Sequence, residues 1–380
     1  MITIASVGDL ILDEPDPASY LAPSASLLKA ADVTVGHVEV PHSTTTVQQS
    51  TDVPAPPADP AALAALADAG FDVVTLAGNH IHDAGTEGIT DTLAHARAAG
   101  LVPVGAGTSL AEARTPAIVE RGGLRVGVLS YNCVGPRESW ATSGKAGCAY
   151  IHVLTHYELD HASPGGPPKI YTFAAPESLA VMEADVARLR KEVDVVLVGL
   201  HKGVGHTPAA VAMYESPVAR AAIDAGADAV FGHHAHIMRG IETWRGRPIF
   251  HGLGNFVTVT HALTPDASSR SSAELTEWAH RRKELYGFSP DPDMPAYPFH
   301  PESRNTAIAF CRFDGDGLVE ASFEPCWIDD AGRPVPCGDT DEGRRVTDYI
   351  EDITRRAGLN GQFVRKDGRV LIQLTTERAS

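Results

Sequence analysis

The feature that most constrains the fold is an alternation of short β-branched runs with alanine-rich amphipathic stretches along residues 2–131. Strands that alternate with helices in this way form βαβ units, which set the strands side by side in a parallel sheet. The alternation therefore predicts an α/β fold. The predicted strands are Ile2–Val7, Val33–Val38, Val73–Leu76, Val102–Val104 and Val126–Ser130, and the predicted helices between them are Ser19–Ala30, Pro60–Ala69 and Glu87–Ala99.

The same alternation returns after Pro176, but the last strands follow one another without helices. Turn glycines, at Gly246 and at residues 315–317, are typical of β-hairpins in this part. Two packed mixed sheets with helices outside account for both halves. The predicted helices are 176–191 and Ala209–Ala225, and the predicted strands are Asp194–Leu200, Asp228–Phe231, Met238–Thr243, Pro248–His251, Thr306–Phe313 and Leu318–Phe323.

Composition narrows the class of protein. A chain of 380 residues is long enough to bury a large core. Its 48 acidic and 31 basic residues give a net charge of −17, which disfavours nucleic-acid binding because phosphate contacts need clustered lysine and arginine. No run of apolar residues is long enough to span a membrane, and the first residues enter a strand directly instead of a signal peptide. We therefore expect a soluble, cytoplasmic protein.

The five cysteines are odd in number, widely spaced and never arranged as Cys-x-x-Cys. This pattern argues against both a disulfide framework and a thiolate zinc site, so we expect free thiols. Cys133 and Cys148 flank an irregular loop and are weak candidates for substrate contact. The others are Cys311, Cys326 and Cys337.

Side chains that bind metal ions follow five of the predicted strands. Each one alone has an ordinary explanation, as a turn aspartate, a strand-end residue or a helix cap. Taken together they indicate a metal site, because parallel strands bring their carboxyl ends to one edge of a sheet. The residues are Asp9, Glu39 with His37 two positions before it, Asn79 followed by His80, His201, and His234 with His236 in the motif Gly-His-His-Ala-His.

Two stretches interrupt the regular pattern of a single domain. Residues 133–173 are rich in glycine and proline but also carry aromatic residues, which favours an ordered flap over a site. Within this stretch Lys145, His152 and His156 are candidate substrate contacts, with ordinary surface positions as the alternative. A second insert at 264–304 includes a charged helical piece around 273–285, and residues 327–380 form a C-terminal extension.

In their order along the chain, these motifs resemble those of the calcineurin-like metallophosphoesterase superfamily. More closely, residues 221–256 are similar to its CapA branch, named for poly-γ-glutamate capsule biosynthesis. The likeness covers about residues 1–260 and the strands after 305. It implies a four-layer α/β/β/α sandwich of two mixed sheets flanked by helices. It also implies a pair of divalent metal ions, such as Mn, Fe or Zn, at one edge of the sandwich.

The resemblance also implies roles for individual residues. Asp9 and His236 would bind one ion, and the other ion would take Asn79, His201 and His234. Glu39 would bridge the ions where the wider superfamily has an aspartate. His80 would act as the general acid beside the leaving group, with Asp83 orienting its ring, although Asp83 also suits a helix cap.

The chain departs from the superfamily pattern at two places. Ile11 stands where a histidine is usual, so either His37 supplies the missing imidazole or that ion is held weakly. Lys202, with His206 after it, stands where the CapA branch commonly has tryptophan. A cation there suggests contact with a substrate carboxylate or phosphate, with a surface lysine as the alternative. Capsule-forming members usually carry a membrane anchor, which this sequence does not display.

The leading functional hypothesis is a dinuclear metallohydrolase whose metal-bound hydroxide attacks a phosphoester or amide bond of a small, carboxylated metabolite. The rival hypothesis is a non-catalytic assembly or binding factor for poly-γ-glutamate or a related amide polymer. A scaffold that merely retains its ligands is a third reading. The expected partner is a small-molecule or peptide-like acidic substrate, and homo-oligomerisation is left open.

Overall fold

The computed structural model describes residues 1–50, 55–260, 277, 280–281 and 283–374, so most of the helical piece predicted at 273–285 lies outside the described residues. The strands are β1 (Ile2–Leu12), β2 (Val33–Val38), β3 (Val73–Thr75), β4 (Val102–Val104), β5 (Ala106–Gly107), β6 (Ala117–Arg121), β7 (Leu124–Asn132), β8 (Gly147–Cys148), β9 (Val153–Glu158), β10 (Lys169–Ala174), β11 (Val195–Lys202), β12 (Ala229–His234), β13 (Ile241–Trp244), β14 (Arg247–Phe250), β15 (Asn255–Val259), β16 (Asn305–Asp314), β17 (Gly317–Ile328), β18 (Pro334–Pro336), β19 (Phe363–Lys366) and β20 (Arg369–Ile372). The α-helices are α1 (Pro17–Leu21), α2 (Ala25–Lys29), α3 (Ala61–Asp68), α4 (Gly85–Ala98), α5 (Leu110–Ala113), α6 (Pro176–Leu189), α7 (Glu215–Asp224) and α8 (Asp341–Arg356).

Two mixed sheets form the centre of the structure. The first sheet has the order β19-β20-β17-β16-β1-β2-β3-β4, with β15 also paired to β1 and β18 to β17. The second has the order β13-β14-β12-β11-β7-β6. Strands β1 to β4 are parallel, and so are β7, β11 and β12, as expected for strands joined by helical crossovers. Strand β14 is also parallel to β12, but the chain between them forms β13.

The apolar side chains divide into three main cores that define four layers. The core between the sheets joins residues of β1 and β2, such as Ile4 and Val35, to residues of β7 and β11, such as Val128 and Leu197. A second core packs α3 and α4 on the outer face of the first sheet. A third core packs α6 and α7 on the outer face of the second sheet. The predicted α/β/β/α arrangement of two mixed sheets flanked by helices is confirmed.

Proline accounts for one difference from the predicted helices. The helix expected at Ser19–Ala30 is two short helices, because Pro23 has no backbone N–H to donate and its ring clashes with the preceding turn. The helix expected from Ala209 begins at Glu215, whose carboxylate Oε1 accepts a hydrogen bond from the Ala212 N–H at 2.7 Å.

Several elements are absent from the sequence-based prediction, and three features of the fold depend on them. Strand β6 is an edge strand, and β9 with β10 forms an exposed antiparallel hairpin inside the predicted flap. Strand β15 pairs in parallel with the second half of β1. The first strand consequently runs to Leu12 and not to Val7, and Asp9 lies inside it.

The C-terminal segment is part of the same core. Val346, Ile350 and Ile353 of α8 are buried with the residues between the sheets, and β19 and β20 extend the first sheet. As the sequence spacing predicts, all five cysteines are free, and they are buried. In the part of the chain that is described, no helix has the length and apolar character needed to cross a bilayer.

Candidate metal centre

The predicted ligands of the two sheets meet where β1 and β2 face β11 and β12. In the first sheet, Asp9 of β1 pairs with His37 of the parallel strand β2. The register of the pairing with β2 shifts just before Asp9, and that of the pairing with β15 shifts just after it. In the second sheet His201 and Lys202 pair with His233 and His234. Parallel strands therefore bring side chains that are far apart in sequence to one edge.

Asp9 is fully buried at the centre of this edge. Its backbone N–H donates to the carbonyl of Gly254 at 2.8 Å, and its carboxylate Oδ2 accepts from the backbone N–H of His234 at 3.2 Å. Burial, followed by repulsion from the Glu39 carboxylate, holds the pKa of Asp9 well above its usual range. A cation beside Asp9 would offset this cost of ionising the buried carboxyl group.

Glu39 and His236 lie on one side of Asp9. His236 Nε2 is 3.2 Å from Glu39 Oε1, and His236 Nδ1 is 3.5 Å from Asp9 Oδ2. Burial opposes ionisation of Glu39, but the nearby His236 outweighs it and lowers the pKa of Glu39 to about 2. Conversely, burial opposes protonation of His236, and Glu39 followed by Asp9 overcomes it and raises the pKa of His236.

The imidazoles of His37, His201 and His234 lie on the other side of Asp9. His201 Nε2 is 2.7 Å from Asn79 Oδ1 and 3.1 Å from His234 Nδ1. The rings of His37 and His201 are 4.6 Å apart between centroids. Burial, then the neighbouring imidazoles, keep the pKa values of His37 and His201 well below the usual range, so both rings are neutral, which is the form that binds metals.

Two donor sets emerge from these positions. Asp9, His37 and His201 offer ligand atoms within 4.8 Å of one another, and so do Asp9, Glu39 and His236. Asp9 is common to both sets. The sequence-based assignment instead made Glu39 the shared ligand and left His37 as a substitute for the histidine missing at Ile11.

Several donor atoms have no hydrogen-bond partner among the described residues, although they are buried. They are His37 Nε2, His201 Nδ1 and Glu39 Oε2, whereas Glu39 Oε1 lies 3.2 Å from His236 Nε2. An unsatisfied buried polar group costs about 1–3 kcal/mol. Oxygen and imidazole donors suit Mn, Fe or Zn ions, so the residues present fit a divalent metal.

Hydrogen bonds outside the donor sets orient two of the imidazoles. Thr75 Oγ1 donates to the Gly36 carbonyl, so it accepts from His37 Nδ1 at 3.0 Å and leaves His37 Nε2 facing the centre. Asn255 Oδ1 accepts from His236 Nδ1 at 2.9 Å, while Asn255 Nδ2 donates to the Tyr297 hydroxyl. Such contacts set the ring orientation and the tautomer of metal-binding histidines.

The backbone of the histidine motif is strained. His234 has φ of 86°, and His236 has φ of 52°. Left-handed conformations at residues other than glycine cost of order 1–3 kcal/mol each and cluster at functional sites. The neighbouring His233 is held differently, with its Nε2 3.2 Å from the Val7 carbonyl and its ring stacked on His37 at 4.8 Å.

His80 and Asp83 lie together as expected. His80 is in a single 3-10 turn, His80–His82, directly after Asn79, and its Nδ1 is 2.7 Å from Asp83 Oδ2. The Ser50 hydroxyl donates to the same Asp83 oxygen at 2.8 Å. Asp83 follows this turn, and the N-cap residue of α4 is Ala84 and not Asp83, which favours the orienting role over the capping one.

The substrate contact expected from Lys202 does not fit the structure. Lys202 is 0% exposed, and its Nζ donates to Glu215 Oε2 at 2.8 Å and to the His251 carbonyl at 3.1 Å. Arg239 NH2 donates to Glu215 Oε1 at 3.2 Å. The side chain points into the core because a buried carboxylate on α7 pairs with it, so Lys202 is a structural residue.

The other predicted substrate contacts differ in burial and in the residues that they contact. His206 is buried beside His236, with ring centroids 5.9 Å apart, and it also packs against Phe288 at 4.8 Å. Lys145 and His152 are half-buried on the flap, whereas His156 is exposed on β9 and faces Tyr171 of β10. The two candidate cysteines are buried, which raises the pKa of Cys133 to about 12 and of Cys148 to about 11.

Two residues of the site carry no role in the sequence-based assignment. Thr75 orients His37, and Asn255 orients His236. The Leu-Gly-Asn-Phe sequence at 253–256 belongs to the CapA-like pattern, and an asparagine at the start of an apolar strand was the available signal. Its relevance depended on β15 pairing with β1, which the sequence did not reveal.

Gly78 sits against the imidazoles. A Cβ atom at this position would lie 3.1 Å from His37 Nε2 and 3.4 Å from His201 Cε1. We expect Gly78→Ala to fold but to lose metal, because the methyl group enters the space between the donors. Metal content by mass spectrometry and melting temperature test this. Gly144→Ala is the matched control, since a Cβ there meets nothing within 4 Å. Full metal content in both variants would contradict the expectation.

The fold and the cluster define an α/β protein with a candidate metal centre between its two sheets. Residues 3–260 match the family described as bacterial capsule synthesis protein PGA_cap. The chain therefore belongs to the PGA_cap family, which confirms the resemblance to the CapA branch.

Several known proteins are similar to this chain. A probable polyglutamine synthesis accessory protein of Mycobacterium tuberculosis is 32% identical over 209 residues, which are 53% of this chain and 49% of that protein. The PGA biosynthesis protein CapA of Bacillus subtilis is 32% identical over 193 residues, 50% of this chain and 44% of that one. The chain thus spans about half the length of these curated relatives.

Two further comparisons cover more of the chain. An uncharacterized protein of Sinorhizobium fredii is 28% identical over 386 residues, 85% of this chain and 82% of its own length. Among solved structures, a calcineurin-like phosphoesterase of Bacillus subtilis aligns with a TM-score of 0.38 and 12% identity over 94% of this chain and 97% of that one.

Proposed function

We propose that this protein is a dinuclear metal-dependent hydrolase that cleaves a phosphoester or amide bond in a small, carboxylated substrate. The observation that carries the proposal is the pair of buried donor sets that share Asp9. One ion would be held by Asp9, Glu39 and His236. The other would be held by Asp9 with His37 and His201, next to Asn79 and His234.

Ions bound there would supply Lewis acidity, activating a water molecule and neutralising negative charge that develops on the substrate. In this scheme His37 belongs to the set that contains His201, so it does not replace the histidine missing at Ile11 for the ion beside His236. Ile11 itself is buried with Tyr297 and Phe299. This packing accounts for an apolar residue at that position.

His80 is the residue best suited to protonate the leaving group. Its Nδ1 is bound to Asp83, so a proton for the leaving group would be carried on Nε2. The hydrogen bond from Ser50 to Asp83 keeps that carboxylate in position. In this scheme Asp83 is a positioning residue, because it acts through the His80 ring.

A second candidate function is that of a non-catalytic accessory factor in the synthesis of a glutamate polymer. The names of the mycobacterial and Bacillus relatives favour it, since they describe a polyglutamine synthesis accessory protein and a PGA biosynthesis protein. An accessory factor would use the same buried donors to hold metal and would bind an acidic polymer without cleaving it.

One experiment separates the two functions. Protein loaded with Mn, Fe or Zn is incubated with a panel of phosphoesters and a panel of γ-glutamyl and other amides, and the products are identified by mass spectrometry. We expect turnover with one panel, and a fall of about 10²–10⁴-fold in His80→Ala at unchanged metal content, because general acid catalysis is worth that much. Metal-loaded protein that binds but cleaves nothing would favour the accessory factor.

A further inference from the structure

We infer that the flap carries an anion subsite beside His80, formed by Arg137 against the ring of Trp140, which is stacked on Tyr150. It would bind a carboxylate or phosphate group of the substrate that is remote from the bond being broken. The inference rests on the proposed function for its purpose, but the binding itself does not require turnover.

The flap is anchored to the strand that carries His201. Cys133 N–H donates to the His201 carbonyl at 2.8 Å, and Asn132 pairs with His201 across β7 and β11. The Asn132 side chain then donates to the Gly135 carbonyl and to the Ser139 hydroxyl, both at 3.1 Å. These bonds hold the start of the flap in one position relative to the candidate metal centre.

The same segment lies against the turn that carries His80. Residues Arg137–Ser139 form a 3-10 turn that packs on the turn His80–His82. Cys148 Sγ is 3.8 Å from the carbonyl of Gly78, one residue before Asn79. The flap therefore borders the side of the centre where the leaving group would sit.

The rings of Trp140 and Tyr150 stack face to face, and both residues are half-buried. Their centroids are 4.3 Å apart and their planes differ by 4°. The guanidinium carbon of Arg137 lies 5.7 Å from the Trp140 ring, and Arg137 NH2 is 3.2 Å from His152 Nε2. This arrangement restrains an exposed arginine that would otherwise sample many rotamers.

Two cations, Arg137 and Lys145, lie in one short segment of a chain whose net charge is −17, with the exposed Glu138 between them in sequence. Among the described residues, the Arg137 guanidinium contacts His152 and the Trp140 ring and forms no ion pair with a carboxylate. Lys145 Nζ donates instead to the backbone carbonyl of Glu138. A guanidinium without a carboxylate partner presents a planar pair of donors that matches a carboxylate or phosphate.

Titration calorimetry on the full chain, with metal bound and after metal removal, tests the subsite with two probes, glutarate and inorganic phosphate. We expect Arg137→Ala to weaken the binding of at least one probe by about tenfold or more, the value of a charge-assisted hydrogen bond. Arg137→Lys keeps the charge but not the paired donors, so its affinity for the probe should lie between those of the unaltered protein and Arg137→Ala. Lys169→Ala, which removes an exposed cation from the hairpin, should match the unaltered protein.

The preferred probe assigns the subsite to carboxylate or to phosphate. Equal affinities of the unaltered and Arg137→Ala proteins, or no binding of either probe, would overturn the inference. Arg137-dependent binding without hydrolysis would contradict only the proposed enzyme. Hydrolysis with an unchanged KM in Arg137→Ala would contradict only the subsite.

Discussion

Replacing Asp9 with asparagine is expected to abolish binding of both metal ions, because Asp9 is the one ligand common to the two donor sets. The same change should stabilise the metal-free protein. It removes one of two buried carboxylates that repel each other, and an isosteric amide carries no charge to desolvate. Metal content by mass spectrometry and melting temperatures with and without added metal give both readouts.

Loss of metal together with a more stable metal-free protein distinguishes a metal ligand from a structural residue. Asp185→Asn is the control, since Asp185 is equally buried but is paired with Arg114 on the far side of the second sheet. It should lower the melting temperature in both conditions and leave metal content intact. If Asp9→Asn retains both ions, or is destabilised without metal, Asp9 is not the shared ligand.

The second large effect is expected from Glu215→Ala. Glu215 lies between two fully buried cations, Lys202 at 2.8 Å and Arg239 at 3.2 Å. Removing the carboxylate leaves both buried cations without this ion-pair partner. Breaking a buried ion pair in this way costs about 3–5 kcal/mol. We expect a loss of that size in the free energy of unfolding, measured by urea denaturation.

The pH dependence of this contribution has a definite sign. Burial opposes ionisation of Glu215, but Lys202 and then Arg239 outweigh it and lower its pKa from 4.5 to about 2. The stabilisation is therefore complete above pH 4.5 and is lost as the pH falls towards 2. Stability curves of the unaltered protein and of Glu215→Ala should converge over that range.

A surface pair serves as the comparison for Glu215. Glu320 and Arg312 are partly exposed and 3.5 Å apart, so Glu320→Ala should change stability by no more than about 1 kcal/mol. If Glu215→Ala loses no more free energy of unfolding than Glu320→Ala does, the buried network of Glu215, Lys202 and Arg239 is not a major source of stability.

The alternation of strands and helices predicted most of the central elements, and the bounds of β2 and β4 agree with the sequence pattern. Prediction failed where tertiary contacts decided the conformation. The second half of β1 is a strand because β15 pairs with it. The β9–β10 hairpin is largely exposed, and so its sequence lacks the strict apolar alternation that marks a half-buried strand.

The residue types at the site were predictable, because acids, an amide and imidazoles follow buried strands in a recognisable order. The contacts that these residues and their neighbours make were not predictable. Lys202 and His201 are adjacent in sequence, but successive residues of a strand point to opposite faces. One therefore faces the donor cluster while the other is buried against Glu215.

The sequence by itself determined the layered α/β class, the family and the set of residues that could bind metal, since all three are written in local periodicity and in ordered motifs. Only the tertiary structure decided which donors share a site. The pairing of β1 with β2 and of β11 with β12 brings Asp9 within reach of both His37 and His236. Such distances depend on strand register and on the packing of one sheet against the other, and neither is encoded in the spacing of residues along one strand.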